Sequence, residues 1–178
     1  MDVSAPGRAA LLFFASFLFL MLIIPLLYPY GSFTGLDGKA SIIEHWDDIA
    51  FADPLSRAVY WLGDMLCHQE EARSFIINGS QMAFCQRDVS ILTGLAAGLF
   101  LTDKKIGLIN TGDRLWLFVG IALIISTLLE WGIGHAFGWD VLATRVATGL
   151  MAGAGIALII QHLLIKQYEK IMGFDEGV

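Results

Sequence analysis

Residues 9–30 form an almost unbroken run of leucine, phenylalanine, isoleucine and methionine, close to the ~20 apolar residues a helix needs to cross a hydrocarbon core. Tyr28 and Tyr30 mark the outer interface of this span. A cleaved signal peptide is the competing reading. The run is too long for the apolar core of a signal peptide and no A-x-A-like cleavage site follows it, so the segment reads as a retained anchor. Composition agrees: 56% of residues are hydrophobic, 16% are charged and the mean hydropathy is +0.67, too much apolar surface for a soluble domain of 178 residues. The eleven basic residues are scattered among seventeen acidic ones for a net charge of −6, which argues against a nucleic-acid partner, because phosphate neutralisation needs clustered Lys and Arg. Two cysteines permit one disulfide at most.

Three more apolar stretches follow, at residues 84–102, 115–133 and 141–164. The second is short unless it reaches back through Met82, Ala83 and Phe84. Gly94 and Gly98 in that stretch, and Gly149 and Gly153 in the last, form G-x-x-x-G pairs that allow close approach of helix backbones. The expectation is an all-α integral membrane protein, one domain over residues 1–178, with four transmembrane helices and an extracytoplasmic interfacial helix in the outer segment 31–87. Lys104, Lys105 and Arg114 lie between the second and third spans, and Lys166 and Lys170 follow the fourth, while residues 132–140 hold no Lys or Arg. By the positive-inside rule both termini face the cytoplasm of a multi-pass cell-membrane protein, and segment 31–87 lies outside.

Within that outer segment, Asp53-Pro54 reads as an N-cap with proline at the first helical position, opening a helix that runs to about Leu66. Leu55, Val59, Leu62 and Leu66 share one face, with Tyr60 and Trp61 as headgroup anchors, so this helix is expected to lie along the membrane. Ser41 and Glu44 have the spacing of a capping box. Asn78-Gly79 is a turn signal between two cysteine-bearing stretches.

The chemistry-bearing residues gather at the outer ends of the spans. Arg145 lies about one turn inside the fourth span, where a guanidinium needs a carboxylate or carbonyl partner. With Arg87 and Glu130 it outlines a polar pocket, to which Asp88, His135 and Asp140 are neighbours in sequence. Cys67, His68, Cys85 and Asp88 supply two sulfurs, a nitrogen and an oxygen, a set competent for zinc or another transition metal. A Cys67–Cys85 disulfide and two unlinked thiols are the other readings. His45 and His162 read as interfacial or packing residues. No nucleophile elbow, phosphate loop or H-E-x-x-H motif is present in the sequence.

Cys67-His68-Gln69, Arg73-Ser74-Phe75, Gly79, Cys85-x-Arg87 and Gly94, followed by Arg145-x-x-Thr148-Gly149-x-x-x-Gly153, resemble a family of small prokaryotic membrane proteins catalogued as domain of unknown function 2085. The family pattern carries a third cysteine where this chain has Asp88, and a glycine where it has Ser90. The resemblance therefore implies a ligand-like set of Cys67, His68, Cys85 and, here, Asp88. It supplies no reaction. The expected function is an outward-facing, metal-binding polar site in a lipid bilayer. The alternatives are a membrane redox or lipid-modifying enzyme using Cys67 and Cys85, and a small transporter that would require a homo-oligomer.

Overall fold

A computed structural model describes residues 4–38, 44–103, 113–138 and 141–171. Among them, α1 spans Ser4–Leu27, α2 Pro54–Leu66, α3 Gln86–Leu101, α4 Arg114–Phe137 and α5 Leu142–Ile171, and a hairpin joins β1, Ser74–Ile77, to β2, Ser80–Cys85. Ser41, Lys104, Lys105 and Asp140 lie outside the described residues, as does the side chain of His135.

Three segments are long and apolar enough to cross a membrane: Pro6–Leu27, Arg114–Gly134 and Leu142–Ile171. The stretch expected as the second span is shorter. Met82, Ala83 and Phe84, which would have lengthened it, belong to strand β2, and α3 holds 16 residues. At ~1.5 Å per residue such a helix rises about 24 Å, less than the ~30 Å of a typical hydrocarbon core.

The chain forms two compact units, one of residues 1–15 and 90–178, the other of residues 16–89. In the first, glycines bring helix backbones together. A Cβ built on Gly94 would lie 2.2 Å from the Leu150 carbonyl oxygen, and one on Gly98 2.6 Å from the Ala157 Cβ. Both pairs join α3 to α5, as the G-x-x-x-G spacing predicts. A Cβ on Gly155 would lie 2.5 Å from the Gly120 carbonyl oxygen, which makes the same argument for α4 and α5. Leu95, Leu99 and Ala157 form a buried cluster, packed by Leu11 and Phe14 of α1. The Thr127 hydroxyl donates to the Thr148 carbonyl at 2.6 Å, and Arg8 Nε is 2.9 Å from Asp103 Oδ2.

In the second unit α2 begins as expected. The Asp53 carboxylate accepts the N–H groups of Leu55 at 2.9 Å and Ser56 at 3.2 Å, and the Tyr28 hydroxyl donates to its other oxygen at 2.5 Å. The Ser56 hydroxyl donates to that second oxygen as well, at 2.5 Å, and these donors, led by the Ser56 and Tyr28 hydroxyls, hold the Asp53 carboxyl well below the usual carboxylate range.

The hairpin corrects the all-α expectation. Asn78 and Gly79 have φ of +53° and +69°, the pair of left-handed residues that a two-residue type I′ turn requires. The Asn78 amide also donates to the carbonyls of Pro25 at 3.2 Å and Tyr28 at 2.9 Å, tying the turn to the end of α1.

The face of α2 is also revised. Ser56, Val59, Tyr60, Gly63 and Asp64 are buried, whereas Leu55, Leu62 and Leu66 are exposed. Gly63 sets this orientation, since a Cβ there would come within 1.9 Å of the Ala83 carbonyl oxygen on β2. Tyr60 is therefore a core residue and no headgroup anchor. Its ring stacks on Phe33 with centroids 4.2 Å apart, and its hydroxyl donates to the Gln81 carbonyl at 2.7 Å. Burial pushes its phenol above the ordinary tyrosine pKa. Trp61 stacks on Trp46 at 3.8 Å.

Candidate functional site

The site begins where α2 stops. Cys67 follows Leu66 with extended backbone, φ −136° and ψ 150°, and its N–H still closes the last helical turn on the Gly63 carbonyl at 2.7 Å. Two residues later Gln69 has φ +46°, so the chain reverses sharply. That conformation is uncommon for a residue with a Cβ, and a dense set of hydrogen bonds holds it. The buried Gln69 amide donates to the carbonyls of Tyr60 at 3.2 Å and Ala83 at 2.7 Å. The Gln81 amide in turn donates to the Gln69 carbonyl and accepts the Leu36 N–H at 3.3 Å. Two fully buried glutamines thus fasten the Cys67 turn to β2. The sequence singled out Gln69 only as part of a motif and missed Gln81, because a glutamine in an apolar strand carries no signal of which carbonyls it will meet.

Cys85 ends β2 opposite Ser74, and the Gln86 amide donates to the Ser74 carbonyl at 3.1 Å. α3 then starts at once, placing Asp88 in its first turn, where a carboxylate suits the positive end of the helix dipole.

These constraints bring three donors together: the sulfurs of Cys67 and Cys85 and a carboxylate oxygen of Asp88 all lie within 4.8 Å of one another. The Cys85 thiol donates to Asp88 Oδ2 at 3.0 Å. No disulfide joins the two cysteines, and Cys67 is buried. Both thiols precede α3 and so stand outside the helical spans. Hydrogen bonding with Cys85 holds the Cys67 thiol below its ordinary pKa against the opposing effect of burial. The same bond, burial and the Asp88 charge push Cys85 well above its own. The pair gives up one proton readily and keeps the second tightly.

His68 stands apart from this cluster. It is exposed, and its Nδ1 is 3.4 Å from the Gly38 carbonyl oxygen.

The members of the expected polar pocket fall in different units. Arg87 belongs to the second. Glu130 and Arg145 belong to the first, where Arg145 is buried on α5 and the Glu130 carboxylate accepts the Thr144 hydroxyl at 3.2 Å.

Two thiols and a carboxylate at this separation fit zinc or another transition metal, whose bonds to sulfur and oxygen are about 2.0–2.3 Å. Three protein donors would leave a fourth tetrahedral position open.

No solved structure matches the chain. An uncharacterized protein of Methanocaldococcus jannaschii is 26% identical over 120 residues, covering 65% of this chain and 74% of that protein. Residues 67–159, beginning at Cys67 itself, match the family described as "Predicted membrane protein (DUF2085)". The motifs that open and close this stretch are those built around the Cys67 turn and Arg145, and the chain belongs to that family of predicted membrane proteins.

Proposed function

We propose that the protein binds zinc or another transition metal at the outer face of the membrane, through Cys67, Cys85 and Asp88. The observation that carries this reading is the convergence of both sulfurs and the carboxylate within 4.8 Å, from the C-cap of α2, the end of β2 and the first turn of α3. Thiolates are strong ligands for this class of ion, and a metal would relieve the close packing of two thiols against a carboxylate. His68, next to Cys67, is placed to take part only by turning away from Gly38. In the same reading α3 is a fourth, short span, and both termini are cytoplasmic. Leu55, Leu62 and Leu66 of α2 then meet the interfacial region of the outer leaflet. Glu130 and Arg145 form a polar element within the bundle.

Protein purified in detergent without chelator should carry about one transition-metal ion per chain, and denaturation should release that ion together with two titratable thiols. Absence of metal, with thiols that titrate only after reduction, would show a disulfide and remove the proposal. A dithiol acting in redox exchange is the second reading. It is favoured by the lowered pKa of Cys67, which suits attack on a disulfide of a partner molecule. In that case two thiols appear without metal, and a mild disulfide oxidant converts both to one intramolecular bridge.

Orientation has its own assay. A membrane-impermeant maleimide added to intact cells, after a wash with a permeant chelator to free the thiolates, should label the cysteines. Reaction confined to lysed cells, with both cysteines accessible in denatured controls, would place the site on the cytoplasmic side.

A further inference from the structure

α2 begins where a candidate span ends. The apolar run of α1 stops at Leu27. The hydroxyl of the next residue, Tyr28, donates to the Asp53 carboxylate at 2.5 Å and accepts the Asp53 N–H at 2.9 Å. Asp53 is the N-cap of α2, so the start of that helix is tied to the point where α1 leaves the hydrocarbon. Phe51 strengthens the tie, with its ring centroid 5.8 Å from that of Tyr28. The end of α1 and all of α2 belong to the second unit, which sets the first turn of α2 at headgroup level.

At that depth α2 presents an apolar face. Leu55, Leu62, Met65 and Leu66 are between 40% and 64% exposed, and Ala58 among them is exposed too. The helix holds two charged residues, Arg57 and Asp64. Asp64 is in the core, so the charge left to the surface is that of Arg57, on the edge of the apolar face. Arg57 is half-buried, and no ion pair among the described residues includes it. Its Nε is covered and has no hydrogen-bond partner. Four residues on, and so on the same side of the helix, Trp61 stacks on Trp46 and holds its indole N–H buried without a partner. Two covered donors left unmet side by side call for an acceptor.

We infer that Arg57 and Trp61 hold the phosphate of a phospholipid in the leaflet where α1 ends, with its acyl chains along Leu55, Leu62 and Leu66. A phosphodiester is the anion present at headgroup depth, and the guanidinium fork matches two of its oxygens at once. The indole N–H is a donor only, and tryptophan favours this level of a bilayer. Arg57 has to turn its Nε outward to engage the phosphate, a change of rotamer in a long side chain. A second copy of the chain is a poorer occupant. An isologous contact through the same face would set Arg57 against a helix whose own carboxylate, Asp64, is buried. The inference deepens the interfacial reading of α2, uses none of the thiolate ligands and holds for either side of the membrane.

Native mass spectrometry of full-length protein released from detergent, with phosphatidylglycerol added, should show a saturable lipid adduct. Diacylglycerol with the same chains lacks the phosphate and should be retained roughly tenfold less, the worth of one charge-assisted hydrogen bond. Inorganic phosphate should not displace the lipid, because it has no chains to bury. Arg57→Gln should cut phosphatidylglycerol retention by a similar factor, and Arg57→Lys should recover part of it by restoring the charge without the fork. Leu62→Glu, on the exposed face, should remove the adduct of either lipid. An unchanged charge-state distribution shows that each variant is folded. Equal retention of both lipids, abolished by Leu62→Glu, would leave α2 on the membrane and overturn the phosphate site. An adduct that neither Arg57→Gln nor Leu62→Glu alters would overturn the site and the interfacial reading together. A protein dimer split by Leu62→Glu would give the face to a second copy, which also overturns the site.

Discussion

Gly153→Ala is expected to destabilise the first unit by about 3 kcal/mol, at the upper end of overpacking effects. A methyl group there would sit 2.0 Å from the Ile91 carbonyl oxygen, 2.5 Å from the Leu95 nitrogen and 2.9 Å from the Gly94 carbonyl carbon. All three are backbone atoms of α3, so no side chain can swing away and the helices must separate. Lipid offers no hydrophobic force to press them together again, which leaves close van der Waals contact as the main attraction lost. Gly132→Ala in α4 is the matched control. Nothing lies within 4 Å of its built Cβ, so alanine there should be neutral or stabilising by about 0.5–1 kcal/mol through its better helix propensity. Unfolding of both variants in mixed detergent micelles compares them directly. If Gly153→Ala unfolds with the wild type, α3 and α5 are not in backbone contact.

The spacing of Gly94 and Gly98, and of Gly149 and Gly153, marked helix faces open to close approach, but which helices meet there is fixed only by the fold. The long spans were equally plain, since length and apolar composition alone decide them. The start of α2 was readable for a local reason: Asp53 and Pro54 act within one turn of themselves. What the sequence hid depends on distant partners. Met82, Ala83 and Phe84 are apolar enough to be read as a backward extension of the next span, and only pairing with Ser74–Ile77 makes them a strand. Tyr60 looks amphipathic in isolation, yet Phe33 and the Gln81 carbonyl, 27 and 21 positions away in the chain, take it into the core. For the thiol site the sequence named Cys67, His68, Cys85 and Asp88 by ligand chemistry alone; which of their atoms converge, as the sulfurs and the Asp88 oxygen do, depends on the strand pairing that brings Cys85 to the end of α2.

The largest functional loss is expected from Cys85→Ala. Cys85 is the middle of the cluster, bonded to Asp88 and hydrogen-bonded with Cys67. Disturbing a group that merely orients a ligand weakens metal binding by about 10–100-fold, so removal of a ligand itself should weaken it by roughly 100-fold or more. The same substitution has a second consequence that packing alone would not produce. Cys67 owes its lowered pKa first to Cys85. Without that partner its thiol should need a higher pH to ionise, and the pH profile of its alkylation by iodoacetamide in metal-free protein should move upward. Cys85→Ser separates the two effects: a hydroxyl can still donate to the Cys67 thiolate, which keeps the alkylation profile near that of the wild type, but it is a poor ligand for a soft ion and should not restore affinity. Asp88→Cys supplies the opposite test. A third thiolate should raise affinity for zinc and still more for soft ions, because it replaces the one hard donor of the set. Unchanged metal affinity across Cys85→Ala and Asp88→Cys would mean that any bound ion sits elsewhere. A retained shift in the Cys67 profile would then leave the two thiols as a redox pair.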